Sequence, residues 1–99
     1  MDKDALSAVV KKIDGYRQDV IDIETEMCRR PALDPTSGGV GEIEKAGYLT
    51  AYLKKLGLSV RQIDAPDARV PSGIRPNLLV ELPGRSAGPR VMIIAHTDV

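Results

Sequence analysis

His96 and Asp98, two residues apart, are the side chains of this sequence best suited to chemistry, and His96 is its only histidine. They follow Val91-Met92-Ile93-Ile94-Ala95, an apolar, β-branched run that reads as a strand buried on both faces. Side chains alternate along an extended backbone, so His96 and Asp98 can share one face while Thr97 takes the other. Neutral imidazole is a good ligand for zinc or a similar ion. A carboxylate beside it can hold the proton on the second ring nitrogen, which fixes tautomer and ring orientation. The competing reading is structural: a polar exit from a buried strand, with Asp98 capping whatever comes next. Position favours the ligand reading, because open α/β sheets bind ligands outside the carboxyl ends of their strands.

The elements that must position this pair are legible from periodicity and punctuation. From Asp4 to about Arg30 the residues Leu6, Val9, Val10, Ile13, Tyr16, Val20, Ile23 and Met27 recur at steps of three and four, with Ile21 and Cys28 widening the stripe. This predicts an amphipathic helix, bent or divided at Gly15, favoured at its start by Asp2 and Asp4 and stopped by Arg29-Arg30-Pro31. Met1 leads directly into that start, and Cys28 is expected as a small core residue. A loop over 31–41 follows. Its Gly38-Gly39-Val40-Gly41 lacks the spacing and the preceding strand of a phosphate-binding loop. A second helix is expected from about Glu42 to Leu56, stopped by Gly57, with Ile43, Ala46, Leu49, Thr50, Leu53 and Leu56 facing inward.

Leu58 to Ile63 reads as an edge strand, Asp64 to Pro76 as a loop and Asn77 to Leu82 as a further strand. Pro83 to Pro89 is too short for a helical crossover, so Asn77–Leu82 and Val91–Ala95 are expected to pair antiparallel, with Val91–Ala95 the most buried strand. The fold class predicted is α/β: two N-terminal helices packed on a mixed sheet through Ile13, Val20, Ile23, Leu49 and Leu53.

Composition bounds the function. Lys plus Arg and Asp plus Glu balance at 14 each, which favours neither nucleic acid nor an anionic membrane surface as partner. One cysteine cannot form an internal disulfide, and no apolar run approaches membrane-spanning length, so a cytoplasmic protein is expected. With 99 residues the chain has material for one small core. It stops one residue past its best motif, and a catalytic zinc site normally uses three protein ligands. The expectation is the N-terminal portion, residues 1–99, of a longer catalytic domain.

His96-Thr97-Asp98-Val99 after an apolar strand, preceded by Asn77-Leu78-Leu79-Val80-Glu81-Leu82-Pro83-Gly84 and the helix ending at Gly57, resembles the start of a metallopeptidase family. That family includes acetylornithine deacetylase, succinyl-diaminopimelate desuccinylase, aminoacylases and dinuclear zinc carboxypeptidases. The loop from Asp64 to Asn77 is similar to that of a prokaryotic, largely archaeal-type branch. The resemblance implies a dinuclear-zinc exopeptidase-like domain with two divalent ions, zinc or alternatively cobalt or manganese, per full-length subunit. It makes His96 a metal ligand and Asp98 the aspartate that orients it and is counted as catalytic. It implies further that the bridging aspartate, the glutamate general base, the other ligands and a dimerisation domain of a homodimer lie beyond Val99.

The function expected is hydrolysis of an amide bond in an N-acyl amino acid or short peptide, where divalent ions polarise the carbonyl and activate water. The 99-residue piece alone is expected to be inactive. The rival is a non-catalytic α/β binding or interaction module in which His96 and Asp98 merely end a strand.

Overall fold

A computed structural model describes residues 2–99 of the chain; Met1, the expected lead into the first helix, lies outside them. The long helical stripe forms two helices, α1 over Lys3–Asp14 and α2 over Arg17–Cys28, divided at Gly15-Tyr16. Asp2 caps α1 by accepting a 2.6 Å hydrogen bond from the Ala5 N–H, as its place before the stripe predicts. Neither helix buries a residue. The expected packing through Ile13 and Val20 is therefore absent: both side chains are exposed, and Ile23 is half-buried. Cys28 is exposed as well, its Sγ 3.7 Å from Glu24 Oε1, and is no part of a core.

The α2 end is tied to the next helix, α3 (Ile43–Lys55), by Arg30 lying 4.6 Å over the Tyr48 ring while pairing with Glu26 at 2.7 Å. Between them Pro35–Ser37 forms one 3₁₀ turn, capped by Asp34. Helix α3 stops where Gly57 takes the left-handed conformation, φ 84°. The Gly57 N–H donates to Lys54 O and the Leu58 N–H to Leu53 O, which satisfies the last carbonyls of the helix. Ala46 is buried and Ile43, Leu49 and Leu53 are half-buried, as expected, whereas Leu56 is exposed. The Thr50 hydroxyl is buried without a partner.

Strand β1 (Val60–Pro66) pairs antiparallel with β2 (Ile74–Val80) in a register running from Val60↔Val80 to Pro66↔Ile74. The fold is a small α/β arrangement in which α3 packs on this two-stranded sheet. Both strands extend into the stretch expected to be loop, which shrinks to 67–73. That loop closes by hydrogen bonds from Asp67 N–H to Gly73 O and from Gly73 N–H to Val70 O. Pro66 and Pro76 are tolerated because each strand of a two-stranded sheet has an open edge toward which a missing N–H can face.

The largest departure from expectation is Val91–Ala95. The segment forms no strand and does not pair with Asn77–Leu82, and Val91 and Ile93 are 89% and 90% exposed. A run built to be buried on both faces needs a layer on each side, and among the described residues none covers it. Backbone hydrogen bonds alone gain little over bonds to water, so without apolar burial nothing drives the run into the ladder. Ala32, Ala46, Val70 and Pro76 are buried, a small apolar core. The radius of gyration, 16.5 Å, exceeds the roughly 13 Å of a compact domain of this length, consistent with so small a core.

Candidate functional site

His96 and Asp98 are brought together although the strand expected to carry them is missing. The His96 Nδ1 lies 3.0 Å from the Asp98 carbonyl oxygen and 3.3 Å from Asp98 Oδ1. Both acceptors face the same ring nitrogen, so Nδ1 is the nitrogen placed to carry the proton and Nε2 the one left with a lone pair. The ring is open to solvent, with 85% of the side chain exposed, while Thr97 and Asp98 are half-buried. The backbone just after the pair is fastened: the Val99 N–H donates to the carbonyl of fully buried Ala32 at 2.9 Å.

On its other side Asp98 faces an arginine that sequence reasoning missed. Asp98 Oδ2 is 3.9 Å from Nη2 of Arg75, on β2. The Arg75 guanidinium is forked onto Glu42, Nε at 3.1 Å from Oε2 and Nη2 on Oε1, and its Nη1 donates to Asp34 Oδ2 at 2.9 Å. Asp67 Oδ2 lies 3.9 Å away. Four carboxylates from four stretches of chain thus surround one guanidinium: the 3₁₀ turn cap, the residue before α3, the β1–β2 loop and the C-terminal segment. Glu42 is buried and spends its carboxylate on Arg75, which explains why it does not cap α3 by a side-chain hydrogen bond. The sequence around Arg75, Ile74-Arg75-Pro76-Asn77-Leu78, shows only an arginine set among mostly apolar neighbours, a place where a carboxylate partner is needed, and does not say which carboxylates supply it.

The electrostatics follow from these contacts. The Asp34 carboxyl is lowered to about 2, first by the Thr36 hydroxyl at 2.5 Å and the Thr36 amide at 2.8 Å, then by Arg75. Asp67 is lowered to about 2, first by the Arg69 side chain, which meets both carboxylate oxygens, then by the Arg69 amide. Arg75 is raised, chiefly by Glu42 and then by Asp34.

A metal ion asks for more than this pair. Among the described residues no three His, Cys, Asp or Glu side chains converge as a ligand set, and the carboxylates near Asp98 are committed to Arg75. The residues present fit one imidazole ligand with its outer carboxylate, short of the three or four ligands of a zinc site. Among the described residues no helix is long and apolar enough to cross a membrane. No family model, curated protein or solved structure matches the chain.

Proposed function

We propose that this chain is the N-terminal part of a metal-dependent amidohydrolase that cleaves an N-acyl amino acid or a short peptide. In it His96 supplies one metal ligand through Nε2, and Asp98 holds the ring. The observation that carries the reading is the pairing of His96 Nδ1 with Asp98 at 3.0 and 3.3 Å, which leaves Nε2 bare and open to solvent. The exposed apolar residues of α1, α2 and Val91–Ile94 agree with it, since such surfaces call for further protein to cover them. The remaining ligands and the general base would come from that further protein, and this chain by itself would hydrolyse nothing.

The test is metal content and turnover of N-acetyl and N-succinyl amino acids by the full-length protein with added zinc, cobalt or manganese. His96→Ala should empty one metal site and abolish hydrolysis. Asp98→Ala should cost on the order of 10 to 100-fold in affinity or activity, the usual loss for an outer partner of a ligand. Wild-type metal content and turnover in both variants would refute the proposal and leave His96 and Asp98 as a polar chain end in a non-catalytic module.

A further inference from the structure

The ionic cluster behind Asp98 is idle in the reading above, yet its geometry is directional. A guanidinium has five N–H donors. In Arg75 one from Nε and one from Nη2 go to Glu42, and one from Nη1 goes to Asp34. The two that remain, on Nη1 and Nη2, are the ones nearest Asp67 and Asp98, each at 3.9 Å. Arg75 is therefore not free to receive a substrate carboxylate, and it cannot turn without breaking contacts to the buried Glu42.

We propose that Arg75 is a positioning residue for His96, acting through Asp98. The fixed guanidinium draws Asp98 Oδ2 to itself, which turns Oδ1 toward Nδ1 of the imidazole and keeps Nε2 the bare nitrogen. The two oxygens of one carboxylate thus divide the work, and the Val99–Ala32 hydrogen bond fixes the backbone from which they reach. The proposal deepens the metal-ligand reading by giving Nε2 its task, but the positioning itself is a property of the metal-free protein.

The experiment reads the tautomer of His96 directly. With ¹⁵N-labelled histidine and no metal, the two ring nitrogens are observed at alkaline pH, with the imidazole in its neutral form. The His96 signals are identified by their loss in His96→Gln. The wild type should show Nδ1 protonated and Nε2 bare. Arg75→Gln should convert this to a mixture of both tautomers, and Arg75→Lys should restore it only in part, since an ammonium keeps the charge but not the fork. Asp98→Asn should disturb the tautomer too, and adding Arg75→Gln on that background should change nothing further, as expected of residues acting in series.

An unchanged tautomer in Arg75→Gln, or an Arg75→Gln effect that persists on the Asp98→Asn background, overturns the proposal. Should Arg75→Gln fail to fold, Glu42→Gln loosens the same guanidinium and must mix the tautomers, with an unmixed result overturning the proposal equally. Zinc added alone to the full-length protein separates this idea from the one beneath it. If His96→Ala loses zinc while Arg75→Gln keeps both zinc affinity and tautomer, only the positioning fails. If the tautomer responds as expected but His96→Ala keeps its zinc, the metal-ligand reading fails and the positioning stands.

Discussion

Gly39→Ala is expected to be the most damaging small substitution in the loop that supports the candidate site. A Cβ on Gly39 would overlap Leu33 O, Leu33 C and Leu33 Cβ. These are mostly backbone atoms, so no side-chain rotation relieves the overlap. Leu33 O is in addition held in place as the acceptor for the Gly41 N–H at 3.2 Å. Overpacking of this kind costs typically 1–3 kcal/mol, and losing the hydrogen bond adds about 0.5–1.5 kcal/mol.

Gly38→Ala is the matched control. Gly38 sits at φ 77° with nothing within 4 Å of a new Cβ. Its cost is the left-handed strain of about 1–2 kcal/mol; the ~0.4–1 kcal/mol that alanine gains by restricting the unfolded chain is common to both variants and cancels between them. Thermal unfolding of the two variants should therefore separate them by on the order of 10 °C, at roughly 4–8 °C per kcal/mol for a domain of this size. Gly39→Ala should also disturb the backbone resonances of Asp34 and the Arg75 side chain, because Asp34 lies in the displaced loop and its carboxylate accepts a hydrogen bond from Arg75 Nη1. Equal melting temperatures for the two variants, or a Gly39→Ala protein as stable as wild type, would refute the reasoning.

Two further outcomes are expected. Asp34 and Asp67 sit at about 2, below their ordinary 3.8, so the stability they contribute is full above the ordinary value and is lost as pH falls from there toward 2. Asp34→Asn should lower the melting temperature at neutral pH and flatten its acid decline, and a melting curve shifted in parallel at every pH would contradict this. In the 99-residue chain the amides of 91–95 should exchange with solvent far faster than those paired between β1 and β2, because the former are exposed and outside any ladder. Protection of 91–95 equal to that of 74–80 would restore the buried strand and count against the arrangement described.

Local signals in the sequence determined the elements whose cause is local. The Asp2 cap, the break at Gly15, the end of α2 near Arg29-Arg30 and the stop at Gly57 each depend on a few neighbouring residues, and each lies where the pattern put it. The proximity of His96 and Asp98 was legible for the same reason, since two residues of extended chain are enough to bring them to one side. Tertiary structure alone decided the rest. Whether an apolar run such as Val91–Ala95 becomes a strand depends on a partner edge and two covering layers, none of which its own residues supply. Arg75 gathers carboxylates from positions 34, 42, 67 and 98, up to 41 residues away in sequence. Such a cluster has no period and no motif, because charge attraction acts through space and takes no account of order along the chain.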